Sequence, residues 1–412
     1  MGGRRYLDHG AHHSRGACQP GLVLNVAAPF PVAGQREIGV LQVDPSLFTA
    51  PYDAALSGGL VANGVSPAWA TRQLRPKEED LLAGTPTLPF FYPLTDGPAR
   101  RTGAPWKLLK GVEHAVGLRR LVREARRFDL VHLQWAALPL LDVHAVRRIR
   151  RERPVVMTVH DIEPFNGHSS GVQSNGYETI LREADRLIVH TGAGREALLR
   201  RGLPEARIHV VPHGLLPLAS VQPEARPDDR RWRVVLFGRL QPYKGPDRLA
   251  EALGLIDPAV RERLEVIVAG EAQMPIEPIL ERARALGLGR SFALRPGRLS
   301  EQAMAALLRS ADAFVFPYST IDASGVLHLI ADLGRWVVAS DLGAFRAMIG
   351  TDSGELVPAD DLPALAEAIA RSIGRKPAAR PAVGIPDWTE IGAMTRNVYE
   401  EAIVERHIAA AR

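Results

Sequence analysis

Residues 234–253 read VVLFGRLQPYKGPDRLAEAL, and this stretch decides how the chain folds. It opens with an apolar run that predicts a buried strand, and it closes with apolar residues at three- and four-residue steps that predict a helix. Between them lie Arg239 and Lys244, each beside a glycine. A strand-to-helix turn with two cations either holds an anion or is a solvated turn with Pro242 at its corner. The rest of the chain decides between these alternatives.

The same alternation of short apolar runs and amphipathic runs continues along most of the chain. Strands that are apolar throughout and separated by helices are typical of parallel sheets covered on both faces. Residues 216–231 are rich in proline and charge, lack periodicity, and predict a linker. We therefore expect an α/β protein with two Rossmann-like, doubly wound domains, residues 38–215 and 232–385, facing a central cleft. Residues 71–103 are expected to be a loop region, because proline, glycine and threonine are frequent there.

Size and composition restrict the class of protein. The 412 residues are enough for two to three domains, at roughly 150 residues each. The single cysteine, Cys18, leaves no internal disulfide and fits a reducing compartment. No run reaches the ~18 apolar residues of a membrane span, and residues 1–37 lack the apolar core of a signal peptide. We expect a cytoplasmic protein with a disordered leader or extension at residues 1–37.

The net charge of +5 comes from arginine, which is concentrated in two predicted helices at residues 118–127 and 147–154. Such runs are either solvated helix faces or a surface that meets acidic lipid or an anionic acceptor, and the sequence leaves both possibilities open. Nucleic acid is not expected as a partner, because no aromatic residues are interleaved with the cations and no zinc-finger spacing is present.

Several polar residues follow the predicted strands, at the sheet edge where open α/β folds bind ligands. Arg239 and Lys244 follow one strand, and Ser324 and Gly325 open a helix after another. A helix N-terminus with small residues presents free backbone N–H groups to a phosphate, and two cations stabilise a leaving diphosphate. We therefore predict a phosphate site in the second domain. The alternative is an ordinary helix cap at Ser324.

His160 ends the predicted strand PVVMTVH, Asp161 follows it directly, and both face the expected cleft. A histidine at a strand end is often a structural hydrogen-bonding residue, but its place at the cleft favours function. Asp161 could orient the imidazole, accept a hydroxyl or act as a base. His132, His190 and His213 also end strands, but no carboxylate or cysteine cluster supports a metal site, and we predict none.

These stretches together resemble the nucleotide-sugar glycosyltransferases of family 4, which have the GT-B fold. The resemblance rests on residues 234–253, on VIVAGE at 266–271, and on ADAFVFPYSTIDASGVLHLIADLGRWVVASDLG at 311–343. In the first half it rests on PVVMTVHDIEP at 154–164 and on IHVVPHG at 208–214. It covers the chain from about Gly39 to its end. It implies that residues 386–412 form a terminal helix that packs back on the first domain.

The resemblance implies an activity. Such an enzyme transfers a sugar from a nucleoside-diphosphate sugar to a glycan or lipid-linked acceptor, with retention of configuration, in polysaccharide or glycoconjugate biosynthesis. It implies a transferase without a bound metal or other cofactor, and the chain has no Asp-x-Asp motif. The basic first domain adds the expectation of peripheral association with the inner face of a membrane.

The resemblance also implies residue roles. The catalytic residues would be His160, Asp161, Arg239 and Lys244. The nucleotide-sugar donor would be bound by Gly238, Arg239, Lys244, Gly270, Glu271, Arg298, Leu299, Asp322, Ser324, Gly325, Val326 and Leu327. In this set the two cations hold the diphosphate, and the turns at Glu271 and Arg298 lie near the nucleoside.

The sequence departs from the family pattern in two places. Family members often carry a Glu-x7-Glu pattern whose second glutamate contacts the ribose, and here Ile321 and Leu329 stand at those positions. The turn after the first strand, residues 43–53, also lacks the usual pair of glycines. The nucleotide is therefore left open. Two alternatives also remain: a degenerate transferase that binds a nucleotide sugar without catalysis, and a nucleotide-sugar epimerase.

Overall fold

The computed structural model of the chain describes residues 36–76, 78–96, 103–162, 175–226, 231–321, 324–378 and 385–411. Its strands form two sheets, one in each half of the chain, and the pairings within each sheet are parallel. Each sheet is covered by helices on both faces. The predicted α/β class with two Rossmann-like, doubly wound domains is confirmed.

The first sheet contains β1 Ile38–Val43, β2 Val65–Arg72, β3 Thr87–Phe91, β4 Leu130–Leu133, β5 Val155–Val159, β6 Arg186–Val189 and β7 Ile208–Val210. The helices around it are α1 Ala50–Ala62, α2 Ala104–Glu124, α3 Pro139–Ile149, α4 Tyr177–Glu183 and α5 Gly192–Arg200. The strand order is β3-β2-β1-β4-β5-β6-β7. It reverses between β1 and β4, and a ligand is expected beyond the carboxyl ends of the strands at such a point.

The second sheet contains β8 Trp232–Phe237, β9 Leu264–Gly270, β10 Phe292–Pro296, β11 Ala313–Phe316, β12 Trp336–Ser340 and β13 Gly354–Val357. Its helices are α6 Pro246–Leu255, α7 Pro258–Arg261, α8 Glu277–Ala285, α9 Glu301–Ser310, α10 Gly325–Ile330, α11 Gly343–Met348 and α12 Leu362–Arg371. The strand order is β10-β9-β8-β11-β12-β13, which reverses between β8 and β11. The turns after these two strands contain the phosphate site that is predicted from the sequence.

The apolar runs of the sequence are strands buried on both faces. Val234 and Leu236 of β8 pack in one cluster with Leu253 of α6. Val235, which lies between them, packs in the cluster on the other face with Phe314 of β11. Successive strand side chains point to opposite faces, so a strand covered on both sides must be apolar throughout.

The structure differs from the sequence-based expectation between residues 71 and 103. That region was expected to be a loop, but it contains the end of β2 and the whole of β3. Pro67 lies inside β2 opposite Val40, and Pro89 lies inside β3 opposite Thr71. Prolines argue against a strand in a local analysis. Here β2 pairs with β1 and β3 pairs with β2, and this pairing, which only the tertiary structure supplies, overrides that preference.

The last helix, α13 Trp388–Ala411, packs against α1 of the first domain. Gly392 allows the close approach, because a Cβ at that position would overlap the carbonyl group of Gly59. Arg396 donates to the Asn63 and Gly64 carbonyl oxygens at the end of α1. The chain therefore crosses between the domains twice, once at the linker and once before α13.

Candidate active site at the domain cleft

The turn after β8 is shaped by two glycines in the left-handed region. Gly238 has φ +121° and Gly270 has φ +142°. A Cβ on Gly270 would overlap the Gly238 carbonyl group, so the ends of β8 and β9 approach more closely than side chains would permit. Beyond them, Leu240 N donates to the Glu271 carbonyl oxygen at 2.8 Å, which ties the Arg239 turn to the Glu271 turn.

Lys244 lies under this turn with only 7% of its surface exposed. A Cβ on Gly238 would come within 2.5 Å of the Lys244 Nζ. The same ammonium lies 5.4 Å from the ring centroid of Tyr318. Burial, with a smaller contribution from the charge of Arg239, lowers the pKa of Lys244 to about 7. Arg239 itself is exposed.

The N-terminus of α10 lies against the same turn. The Cβ position of Gly238 is 3.3 Å from Val326 Cγ2, so the two segments that were predicted to bind phosphate are in contact. Ser324 caps the helix, because its Oγ accepts a hydrogen bond from Leu327 N at 3.2 Å. Gly325 and Val326 are not buried, whereas the Leu327 side chain belongs to the core. Leu327, also predicted to bind the donor, uses its amide within the cap, and its role at the donor stays a prediction.

The remaining predicted donor residues lie farther along the same sheet edge. Glu271 follows β9 and is partly exposed, and Arg298 follows β10 and is exposed. Leu299 packs against the core cluster of that face. Asp322 lies outside the described residues. The strand order brings these turns to the β8 side of the switch point, next to Lys244.

His160 lies at the carboxyl end of β5, and both of its ring nitrogens have protein partners. Its Nε2 lies 3.1 Å from Gln134 Oε1, and its Nδ1 lies 3.2 Å from His190 Nε2. The Trp135 ring stacks on it at 5.1 Å with an interplanar angle of 12°. Tyr52 meets it edge-on at 5.0 Å. Gln134 and His190 hold the imidazole, and the roles predicted for Asp161, which are to orient the imidazole, to accept a hydroxyl or to act as a base, stay predictions. The Asp161 carbonyl oxygen accepts from Tyr177 Oη.

A row of imidazoles extends from His160 into the second domain. The ring of His190 lies 5.1 Å from that of His160 and 5.4 Å from that of His213. His213 in turn meets His328 of α10 at 4.2 Å. His328 Nδ1 donates to the Ser324 carbonyl oxygen at 2.9 Å. The row therefore connects the His160 edge of the first domain with the helix end that faces Lys244.

These histidines are neutral near pH 7. Burial, reinforced by neighbouring imidazoles, lowers the pKa of His132 to about 3 and holds those of His160 and His213 well below the usual value. Burial also lowers the pKa of His190 to about 4. In the described part of the chain, no three His, Cys, Asp or Glu side chains are grouped so that they could hold a metal ion.

Sequence reasoning missed a carboxyl pair in the turn after β1. Asp44 and Asp53 are both fully buried, and Thr49 donates its hydroxyl to Asp53 Oδ1 at 3.2 Å. Burial raises the pKa of Asp44 to about 6 and that of Asp53 well above its ordinary value. Trp135 Nε1 donates to the Thr49 hydroxyl at 3.0 Å, which connects the pair to the ring stacked on His160. The only sequence signal was the absence of glycines from this turn.

Comparisons with known proteins decide the family. The family model described as Glycosyltransferase Family 4 matches residues 54–215, and that described as Glycosyl transferases group 1 matches residues 231–374. A D-inositol 3-phosphate glycosyltransferase of Geodermatophilus obscurus is 30% identical over 322 residues, which are 70% of this chain and 70% of that protein. The chain is a family 4 glycosyltransferase. The resemblance inferred from its sequence is confirmed.

Another relative of this glycosyltransferase is a phosphatidyl-myo-inositol mannosyltransferase of Mycobacterium leprae. It is 29% identical over 289 residues, covering 66% of this chain and 73% of that protein. The names of both relatives specify sugar transfer to an acceptor that contains inositol.

Solved structures confirm the GT-B fold. A sucrose-phosphate synthase from Thermosynechococcus elongatus aligns with a TM-score of 0.61 and 20% identity, over 92% of this chain and all of that one. The Anabaena protein HepE in complex with UDP-glucose aligns with a TM-score of 0.59 and 17% identity, over 90% of this chain. The alignment covers the whole length of the HepE chain. At such identities the structural similarity shows a shared fold, and it does not identify the substrate.

Proposed function

We propose that this glycosyltransferase moves a sugar from a nucleoside-diphosphate sugar to a hydroxyl group of a glycan or lipid-linked acceptor, with retention of configuration. The observation that carries the proposal is the buried Lys244 ammonium, which lies beneath Gly238 and beside the N-terminus of α10. No acidic side chain of the described residues forms an ion pair with it. A buried cation next to a capped helix end suits the diphosphate of a nucleotide sugar.

In this proposal the two cations act on the leaving group. As the bond between the sugar and the diphosphate breaks, negative charge develops on the phosphate oxygen, and Arg239 and Lys244 stabilise it. Lys244 gains its proton fully when the anion is present, because a nearby opposite charge favours the ammonium form. The positive charge comes from side chains, so we propose that transfer needs no bound metal or other cofactor.

The acceptor binds on the first domain, opposite the donor. His160 then meets the transferred sugar when the domains close over it. In a retaining reaction at one face of the sugar, the departing phosphate oxygen can take the proton of the attacking hydroxyl. Asp161 lies beside His160 and is partly exposed, which allows it to contact a sugar hydroxyl.

The test is release of the nucleoside diphosphate from UDP-, GDP-, ADP- and dTDP-sugars, with and without inositol phosphate or glycan acceptors. Acceptor-dependent release that persists in EDTA supports the proposal. Release or isomerisation without an acceptor would support the epimerase alternative. Binding of a nucleoside diphosphate without turnover under any condition would support the degenerate transferase.

The residue at the position of the family's second glutamate agrees with the non-catalytic alternative. Leu329, which stands where the family often has a ribose-binding glutamate, lines a cavity of about 400 Å³ with Leu216, Leu333 and Trp388. A leucine side chain has no hydrogen-bonding group, so this position offers no hydrogen bond to a ribose. Ribose contacts of this chain must come from other residues.

We also propose that α2 brings the enzyme to an anionic membrane surface. Leu108, Val112 and Val116 follow one another at four-residue steps, and they are 76%, 54% and 57% exposed. Arg119 and Arg123 continue the same exposed face. An apolar ridge that ends in cations fits the interface of a bilayer with acidic headgroups. None of the helices in the described part of the chain has the length and apolar character needed to cross a bilayer.

The second arginine run has a different role. Arg147 pairs with Glu183 at 2.8 Å, and Arg150 pairs with Asp185 at 2.7 Å. These charges are matched within the protein, so the solvated-face interpretation suits this run.

The surface proposed on α2 can be tested by cosedimentation with phosphatidylglycerol vesicles. We expect Leu108→Gln combined with Val112→Gln to lower binding. Leu255→Gln, which removes an equally exposed apolar residue from the second domain, is the matched control. Equal binding by all three proteins would refute this surface.

A further inference from the structure

His190 lies between the proposed catalytic histidine and a backbone carbonyl group. It follows β6, and it is 9% exposed. Its Nδ1 lies 3.0 Å from the Val211 carbonyl oxygen, and its Nε2 lies 3.2 Å from His160 Nδ1. The His190 ring therefore has one fixed partner on each side.

These two contacts determine where the protons lie. A carbonyl oxygen can only accept a hydrogen bond, so His190 must carry its proton on Nδ1. In a neutral imidazole the other nitrogen is then an acceptor. His190 Nε2 must accordingly accept from His160, which places the His160 proton on Nδ1. The Nε2 atom of His160 is then an acceptor, and its neighbour in the structure is the Gln134 amide.

The neutral state of both rings follows from their surroundings. His190 is packed among Tyr52, His160 and His213, and no carboxylate touches either ring among the contacts of the described residues. Burial without an acidic partner disfavours the imidazolium form. A second proton, which would release the tautomer from this constraint, is therefore absent near pH 7.

We propose that His190 is a positioning residue that holds His160 in the Nδ1–H tautomer, so that His160 Nε2 accepts a hydrogen bond from a substrate hydroxyl group. The role of His160 in this inference rests on the proposed sugar transfer. The tautomer itself rests on the geometry around His190 and Val211 and on the neutral state of both rings. It can be measured without any substrate.

Gln134 agrees with this assignment only after its amide group is rotated by 180°. Its amide group lies 3.1 Å from His160 Nε2, with the oxygen toward the ring. Two acceptors cannot share that contact, whereas a rotation of the amide by 180° places an N–H donor there. The same rotation of Gln42 lets it donate to Gln134 and accept from Tyr399 Oη, which lies 3.0 Å from the Gln42 amide. The amide of Gln134 then occupies the place that a substrate hydroxyl would take.

A purely structural role for His190 is the competing explanation. In that case the residue would only connect the ends of β6 and β7 through Val211. Its loss would lower stability and donor affinity together, and it would not change the tautomer of His160. A spectroscopic measurement separates the two explanations.

The experiment uses the full-length protein labelled with ¹⁵N-histidine. Long-range ¹H–¹⁵N correlation spectra at pH 7.5 distinguish the two neutral tautomers, and His160→Gln identifies the His160 signals. We expect a protonated Nδ1 and an unprotonated Nε2 at His160 in the wild type. A wild-type His160 that carries its proton on Nε2 would overturn the proposal whatever the variants do.

Two substitutions extend the test. His190→Phe keeps a ring but removes both hydrogen bonds, so we expect a mixture of His160 tautomers and a kcat about tenfold lower. The Kd for UDP should not change, because the diphosphate turn is in the other domain. In His190→Gln the amide oxygen can accept from His160 and the amide nitrogen can donate to Val211, so most of the activity should return.

His209→Gln is the matched control, since His209 lies on the neighbouring β7 and pairs with Glu401 away from His160. It should leave the tautomer, kcat and Kd unchanged. If His190→Phe retains the Nδ1–H tautomer, or if His190→Gln loses as much kcat as His190→Phe, His190 does not act as proposed. If the wild type shows the expected tautomer but transfers no sugar, the proposed function fails while the tautomer assignment stands.

Discussion

The two edges of the cleft are built in different ways. The second-domain edge is made by backbone: two glycines with positive φ bring β8 and β9 together, and one buried lysine lies beneath them. The first-domain edge is made by side chains, since His160 is held by Gln134 and His190, which come from the ends of other strands. A diphosphate has the same shape in every nucleotide sugar, so a rigid backbone cradle suits it. An acceptor varies, and side chains that hydrogen-bond one another can vary with it.

The strongest test of this comparison removes the buried charge. Lys244→Met keeps the aliphatic stem, and we expect turnover to fall about 10²- to 10³-fold, as for the loss of one group that stabilises transition-state charge. The free energy of unfolding should stay the same or rise, because burying an ammonium group is unfavourable. Steady-state kinetics and thermal melts measure the two effects.

Lys244→Met is expected to lower turnover without lowering the free energy of unfolding, so the loss of turnover would not be due to a loss of folded protein. The exposed Lys376→Met is the control, and it should change neither quantity. A Lys244→Met enzyme that retains wild-type turnover would show that the second-domain edge does not hold the diphosphate.

A smaller effect is expected from the backbone of the same edge. Gly238→Ala adds a Cβ at φ +121°, 2.5 Å from Lys244 Nζ. We expect a loss of about 1–3 kcal/mol in the free energy of unfolding, together with weaker UDP binding. Gly58→Ala, in α1 with no atom within 4 Å of the new Cβ, should be stabilising by about 0.5–1 kcal/mol. Urea unfolding of both variants compares a glycine that its positive φ and close neighbours require with a glycine that has room for a Cβ.

The pH dependence of donor binding gives the next test. Burial lowers the pKa of Lys244 to about 7 in the free protein, and a bound diphosphate restores the charged form. Binding therefore takes up a proton above pH 7, and the Kd for UDP should rise about tenfold per pH unit between pH 7.5 and 9. Isothermal titration in buffers of different ionisation enthalpy measures the proton uptake. Lys244→Arg, which stays charged, should abolish the slope, and a slope that persists in this variant would assign it to another group.

The smallest effect concerns the first-domain edge. Because the pKa of Asp44 is raised to about 6, the folded protein binds more protons than the unfolded chain between the ordinary aspartate pKa and pH 6. The free energy of unfolding must then fall as the pH rises through that window. Asp53→Asn removes one of the two charges and should raise the Tm by a few degrees at pH 7.5 and not at pH 4. Asp80→Asn, at an exposed acid, should shift Tm at neither pH.

The second-domain edge could be predicted from the sequence more completely than the first. Gly238, Arg239 and Lys244 lie within seven residues of one another, and a local turn carries their geometry. The row of imidazoles could not be recognised as a unit. His160, His190, His213 and His328 are separated by 30, 23 and 115 positions. The first three meet because parallel strands of the first sheet end at one edge, and His328 of α10 meets His213 from the second domain. In the sequence, His160, His190 and His213 each only ended a predicted strand, and nothing singled out His328.

The sequence by itself determined the α/β class, the two doubly wound domains and the strand-to-helix turn that carries Arg239 and Lys244, because hydrophobic periodicity and a local motif carry that information. Only the tertiary structure decided which nitrogen of His160 faces His190, that Leu327 is used in a helix cap, and that residues 71–103 contain strand β3. Proton positions depend on contacts between distant strands, and strand pairing can override a local preference against proline. Such contacts have no signature in the neighbouring residues of the chain.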